Sequence, residues 1–389
     1  MSVVRDGAGH EHPRVSLATI AREWLRIGIV GFGGPPAHIS LLRRLCVERR
    51  GWISPQQFED AIAATNLLPG PASTQLAIYS AWRLRGRTGA LLGGVCFIAP
   101  GLALILGLAA LFLGSPPDWI RGAGLGAGAA VAAVAVHAGL QLLGPLLRRT
   151  SSSALPRLAL YALAGGAAAA TIGPWLVLVL LGCGLIEVVW RRLRLPGLPA
   201  LNPALVVAAA TTTGGLGALA WVALKVGALS YGGGFVIVPL MQADAVHRYH
   251  WMTGSEFLNA VALGQVTPGP VLHTVAVVGY AAAGVGGGLL AALIAFAPSF
   301  SFVLLGADRF DRLLVNVGVR SFLDGAGPAA LGAILGSAIP LGLAIDHAWQ
   351  VGVLAGAAVL LFAGRIGVLF TLLAAGVAGT VAALAGAPL

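Results

Sequence analysis

The chain has 389 residues, of which 58% are hydrophobic and only 10% charged, with a mean hydropathy of +0.89; a soluble domain carries roughly 25% charged residues. Most of its length is therefore excluded from water, and the fold class predicted is an all-α polytopic membrane protein. The net charge of +10 does not mark a nucleic-acid binder, because 23 of the 24 basic residues are arginines scattered in short groups between apolar spans, as in cytoplasmic loops.

Residues 1–16 hold Arg5, Asp6, His10, Glu11, His12 and Arg14 and no apolar core before a cleavage site. They predict a cytoplasmic tail without a signal peptide. The segment from Phe32 to Pro71 then overlays Tyr231 to Pro270 at a constant shift of 199 residues without a gap. Two homologous halves follow, residues 17–200 and 201–389. The shared order is an aromatic-Gly-Gly turn, a tryptophan (Trp52, Trp251), a helix start, a phenylalanine (Phe58, Phe257) and Pro-Gly-Pro. Each half should continue into a Gly-rich helix that ends near Pro100 or Pro298.

Helix starts are predicted at Ser54-Pro55-Gln56-Gln57 and Thr253-Gly254-Ser255-Glu256, which both have capping-box spacing. The apolar stretch after each start, from about Ala61 or Ala260, is cut by Pro-Gly-Pro after only seven or eight residues. Neither piece spans ~30 Å alone. Arg43, Arg44, Arg49 and Arg50 precede the first interrupted segment and Arg83, Arg85 and Arg87 follow it. Charge thus favours a hairpin that returns to the cytoplasmic face. Longer apolar runs occur at Leu91 to Leu113, Gly122 to Leu143 and Leu289 to Leu305.

Following the arginines along the chain inverts the second half relative to the first, with Gln242 to His250 facing out and Arg309, Arg312 and Arg320 facing in. The prediction is ten to thirteen hydrophobic elements in inverted topology with broken or re-entrant helices. Phe32-Gly33-Gly34 ends either a full span or a second re-entrant segment. Matched breaks in inverted repeats are where secondary transporters place their site; a lone break is more often a tolerated kink.

A helix that starts after Pro-Gly-Pro presents free N–H groups and a positive dipole end, and anions bind there. The candidate substrate-binding set is Pro69, Gly70, Pro71, Ser73, Thr74 and Gln75 at the first break and Pro268, Gly269, Pro270, His273 and Thr274 at the second. Asn66, Gln265 and Thr267 sit just before the breaks. The turns Gly33-Gly34 and Gly232-Gly233-Gly234 add backbone amides that approach a ligand closely. Such donors suit a tetrahedral oxyanion. Acids are sparse: Glu59, Asp60, Asp244 and Glu256 are expected near interfaces, Glu256 as a cap, so no cation site is predicted.

His38 and His273 read either as anion-contacting or proton-responsive groups or as structural hydrogen-bonding histidines. Lys225, the single lysine, and Arg26 read as anion-attracting charges or as interfacial side chains that snorkel. Cys46, Cys96 and Cys183 lie far apart, so no disulfide, metal or cofactor is expected. No HExxH, GxSxG, paired intramembrane aspartate or Walker motif marks an enzyme. A scaffold or receptor would not need two matched breaks.

At these motifs the sequence resembles the chromate ion transporter superfamily in its long-chain, two-domain form. The residues that carry the match are Gly31 to Ile39, Leu67-Leu68-Pro69-Gly70-Pro71 with Gln75 and Leu76, Tyr231 through Leu240, and Gln265-Val266-Thr267-Pro268-Gly269-Pro270. Tyr231 stands where the first half has Phe32. The resemblance implies an inner-membrane exporter of chromate, with sulfate as structural mimic and an anion permease as the alternative. The implied partners are chromate or sulfate and the lipid bilayer, with a homodimer left open and no nucleic acid.

Overall fold

The computed structural model describes residues 3–5, 11–13, 15–67, 70–149, 154–171, 175–192, 215–230, 235–306 and 316–389. Apart from a short antiparallel pair in the tail, β1 (Val3–Arg5) with β2 (Glu11–Pro13), the described elements are helices. The chain is an all-α polytopic membrane protein. Four of its helical stretches, Ala72–Phe112, Asp118–Arg148, Val271–Gly306 and Val317–Leu343, are long and apolar enough to cross a bilayer. Their outer faces stay apolar: Leu293 and Leu305 are 72% and 74% exposed, as lipid-facing side chains are.

The first half opens with α1 (Leu17–Val30), capped by the Ser16 hydroxyl. After Gly31, α2 (Gly34–Arg43) runs into a π-helical segment, Arg44–Arg49. Next come α3 (Pro55–Leu67) and α4 (Ala72–Phe112). A continuous stretch made of α5 (Asp118–Ala129) and α6 (Val131–Arg149) follows, then α7 (Leu155–Thr171) and α8 (Leu176–Arg192).

In the second half, α9 (Gly215–Leu229) precedes α10 (Ile237–Gln242) and another π-helical segment, Ala243–Arg248. Then come α11 (Gly254–Val266), a single turn Val271–His273 and α12 (Thr274–Gly306). The chain closes with α13 (Val317–Leu343), α14 (Ala348–Phe362) and α15 (Val368–Leu384).

Matched sequences fold alike. The Ser54/Gln57 and Thr253/Glu256 capping boxes both form. The tryptophan N–H after each π segment bonds back alike, Trp52 to Cys46 and Trp251 to Ala245. Neither α4 nor α12 is one straight helix: each reverses at a residue–glycine pair, Arg85-Gly86 and Ala283-Gly284, where glycine takes φ of 62° and 63°. Contrary to the sequence expectation, the helices pass through Pro100 and Pro298 and continue to Phe112 and Gly306. Close packing from neighbouring helices supports a proline inside a membrane span.

The contacts fix the directions. A Cβ on Gly94 would meet the Phe300 ring at 2.5 Å, and one on Gly288 would meet Leu106 Cδ2 at 2.5 Å, so the post-kink limbs of α4 and α12 are antiparallel. The two kinks therefore lie at opposite faces. Phe112 to Pro116 share one wall of a polar cavity with Thr253, Ser255, Glu256 and His347, which places the start of α11 on the face where its own helix pair also ends. Pro-Gly-Pro is thus the tip of a hairpin, as the arginines indicated.

The contacts of α1 likewise fix the glycine turn that follows it. Trp24 of α1 packs by Gly93 and Gly28 by the Phe97 carbonyl, so α1 runs parallel to post-kink α4 from the arginine-rich face. Its fourteen residues reach only ~21 Å at 1.5 Å each. The chain then reverses, and Arg50 returns to within 3.1 Å of Glu23. Phe32-Gly33-Gly34 ends a second re-entrant segment and not a full span.

Around this core the outer helices are exchanged between halves. Helix α13 packs on α7 and α8, and α15 packs on α5. Glycine makes both crossings close: Gly165 and Gly332 lie on backbone of the facing helix, as do Gly126 and Gly379, the small-residue contact that membrane helices use. Buried Glu187 holds Arg157 at 2.8 Å and Arg191 at 3.1 Å, and Arg191 reaches Asp324 at 2.6 Å, which ties the ends of α7, α8 and α13 at the arginine-rich face.

Candidate functional site

Each break is held by the opposite half. The Gly269 N–H donates to the Gly31 carbonyl at 2.9 Å, and Gly34 lies beside Val271. The Pro268 carbonyl presses on the Cα of Gly101 in α4. At the other break, a Cβ on Gly70 would meet the Gln75 amide at 2.5 Å and the Ser299 hydroxyl of α12 at 3.1 Å. Gly101 and Ser299 are 198 residues apart, the separation of the two kinks. Both breaks therefore cross into the partner half at the same level of its long helix.

The tips are built by glycine. Gly70 has φ of 119° and Gly269 of 93°, backbone that an L side chain strains to adopt. Pro71 then starts α4, its carbonyl accepting from the Thr74 and Gln75 N–H groups at 3.0 Å, while the Pro270 carbonyl accepts from the His273 N–H at 2.9 Å. The N–H groups ahead of these have no intrahelical acceptor.

His38 is fully buried and bridges both re-entrant segments of the first half. Its Nε2 is 2.9 Å from the Gly31 carbonyl and its Nδ1 is 3.2 Å from Ser73 Oγ. A carbonyl only accepts, so Nε2 carries the proton, and in the neutral ring Nδ1 accepts from the serine. The Gly31 carbonyl thus receives two donors, one from each half. Phe97 stands edge-on to the His38 ring at 5.0 Å.

His273 is buried by Gly269, Gly101 and Phe296. The Ile98 carbonyl lies close, yet neither ring nitrogen makes a well-formed hydrogen bond among the described residues. Thr74 Oγ1, Gln265 Nε2 and Ser299 Oγ are likewise buried without a hydrogen-bond partner. These groups are all neutral donors or acceptors, and leaving them unmade costs ~1–3 kcal/mol each. Water or a ligand satisfies such a set.

Other sequence-derived candidates are engaged elsewhere. Thr267 and Thr274 donate their hydroxyls to the helix carbonyls of Leu263 and Val271 at 2.8 Å. Asn66 is exposed whereas its counterpart Gln265 is buried; Thr267 is buried, and Gly33, in the turn that packs on the second break, is exposed. Pro69, Gly232, Gly233 and Gly234 lie outside the described residues, as does Tyr231.

Lys225 neither snorkels nor presents a free cation: it is buried and ion-paired with Asp244, itself 1% exposed. Arg26 is exposed and lies beside Arg44 and Arg49. The residues that sequence reasoning missed are Gly31, Phe97, Gly101 and Ser299. The available signal was the repeat itself, because Pro100-Gly101 and Pro298-Ser299 are matched positions.

Among the described residues no three His, Cys, Asp or Glu side chains gather to hold a metal ion. What the arrangement offers is N–H and O–H donors in a buried, glycine-lined setting.

The profile of the family described as "Chromate transporter" matches residues 18–188 and 217–380. A protein of Synechococcus elongatus called "Probable chromate transport protein" is 30% identical over 348 residues, covering 87% of each chain. A "Chromate transport protein" of Cupriavidus metallidurans is 31% identical, covering 86% of this chain and 85% of its own. One of Pseudomonas aeruginosa is 30% identical, covering 94% and 92%. No solved structure matches.

Proposed function

We propose that this chain, which belongs to the chromate transporter family, carries chromate or a similar tetrahedral oxyanion across a bacterial-type inner membrane. The observation that carries the reading is the crossing of the two breaks, with the Gly269 N–H on Gly31 and the Ser299 hydroxyl beside Gly70. A binding point for an anion at that crossing is shared by two homologous halves, residues 17–200 and 201–389, in inverted topology. The candidate ligands are the helix-start amides at Ala72 and Ser73 and at Val271 and Leu272, with Thr74, His273 and Ser299.

Export is the direction that physics favours. Moving a dianion out of an inside-negative cell yields about 4.6 kcal/mol per 100 mV, from ~2.3 kcal/mol per charge. That supports a gradient on the order of a thousandfold per 100 mV without a coupling ion. The face gathering Arg43, Arg50, Arg87, Arg157 and Arg191 is then cytoplasmic, since the opposite face holds only Arg121 and Arg248 as arginines among the described residues.

The test is chromate movement in vesicles containing the purified chain, with an imposed potential and excess sulfate as competitor. Potential-driven, sulfate-inhibited flux is expected, and Gly70→Ala and Gly269→Ala should abolish it while the protein still inserts. No chromate flux in either direction from inserted protein refutes the substrate assignment.

A further inference from the structure

The halves differ at one place where their register makes them comparable. In the second half, Lys225 of α9 pairs with Asp244, and Arg248 stands 3.9 Å from the same carboxylate. The residues 199 positions earlier are Arg26, Leu45 and Arg49. The equivalence is structural as well: the two π-helical segments are in register, and the following N–H bonds back alike, Arg50 to Leu45 and Tyr249 to Asp244. Gly28 and Gly227, which position α1 and α9, pack on matching carbonyls of Phe97 and Ala295.

Both cations are thus kept in the first half while the carboxylate is replaced by a buried leucine. Arg44, where the second half has Ala243, adds a third cation. Between α1 and the α2 arm a cavity of about 130 Å³ opens; most of its wall is apolar, from Ile27, Val30, Leu41 and Leu45, and Arg26, Arg44, Arg49 and Glu23 border it. Glu23, the one acid in that wall, is held by Arg50 at 3.1 Å and faces Arg22 at 3.6 Å. Glu48 and Glu59 nearby are both taken by Arg43. Arg26, Arg44 and Arg49 make no ion pair among the described residues.

We propose that this cavity is a second anion site, distinct from the crossed breaks, that takes one tetrahedral oxyanion in the place Asp244 fills in the other half. Its volume is well above the ~10–15 Å³ that a single water needs, which leaves room for a small anion. Guanidinium forks match two oxygens of sulfate or phosphate at once. A free inorganic anion and the phosphate of an anionic lipid headgroup share this chemistry.

The full-length chain is reconstituted in nanodiscs of phosphatidylcholine, and sulfate and inorganic phosphate are titrated at constant ionic strength against its melting temperature. In the second arm phosphatidylglycerol is included, and retained lipid is counted by native mass spectrometry. Arg26→Gln with Arg49→Gln, both exposed and tolerant of exchange, should weaken one of these ligands about tenfold or more. Loss in the first arm identifies a free anion and loss in the second a lipid headgroup; either supports the site. Leu45→Asp, which restores the second half's arrangement, should abolish the same binding if it inserts. Equal binding of sulfate, phosphate and phosphatidylglycerol by the parent and the double glutamine variant overturns the proposal, whether or not the chain transports chromate.

Discussion

Gly101→Ala separates the crossing of the halves from every other role of glycine. Gly101 sits inside α4 without a positive φ, so alanine there carries no backbone penalty and gains up to ~1 kcal/mol of helix propensity. Its Cβ, however, would run into the Pro268 carbonyl and stand 2.6 Å from His273 Cε1. Backbone cannot swing aside as a flexible side chain can, and overpacking of this kind costs ~1–3 kcal/mol. The net loss of stability is from about zero to about 2 kcal/mol, too little to unfold the protein. If the same ~1–3 kcal/mol bears on the transport-competent arrangement, flux falls roughly 5- to 150-fold. Gly107→Ala, six residues on, meets nothing within 4 Å and should raise stability by ~0.5–1 kcal/mol with normal flux. Both variants are compared by potential-driven chromate flux in vesicles and by thermal melting in detergent. Parent-like flux in Gly101→Ala, or an equal loss in Gly107→Ala, refutes the idea that the second break works through its seat on α4.

Two further outcomes are expected. Lys225→Met leaves Asp244 buried with only Arg248 nearby and should cost ~3–5 kcal/mol, while adding Asp244→Leu should recover most of it; a single variant that melts like the parent would show the pair is not structural. In a background with Cys46, Cys96 and Cys183 replaced by alanine, Arg87→Cys should react with a membrane-impermeant thiol reagent from the cytoplasmic face and Gly286→Cys from the other. Labelling of both from one face would contradict the antiparallel limbs of α4 and α12.

The repeat made the local structure readable. Capping boxes, hairpin tips and their glycines depend on residues a few positions apart, so the 199-residue shift exposes them twice, and Arg43 to Arg50 with Arg83 to Arg87 supply the side of return. What pairs with what across the molecule is set by packing that no short window records. Pro100 and Pro298 look like helix ends in isolation; they lie inside spans because a neighbouring half covers them. Lys225 looked free because Asp244, nineteen residues on, reaches it only through the packing of α10 and the π segment against α9. The seat of each break on Gly101 or Ser299 was hidden for the same reason.

The exchange of contacts constrains how such a machine moves. If each break packed only against its own half, one half could rock while the other's site stayed intact. Here the second break is bonded to Gly31 and seated on Gly101 of the first half, and the first is seated on Ser299 of the second. Any relative displacement of the halves therefore changes both seats together. The present arrangement has Asn66 exposed before the first break and its counterpart Gln265 buried before the second. If the halves alternate, the mirror arrangement of the same contacts in an inverted repeat is the opposite exposure. On the proposed function, an anion bound between the tips would bias both seats at once, as a site that opens to one side at a time requires.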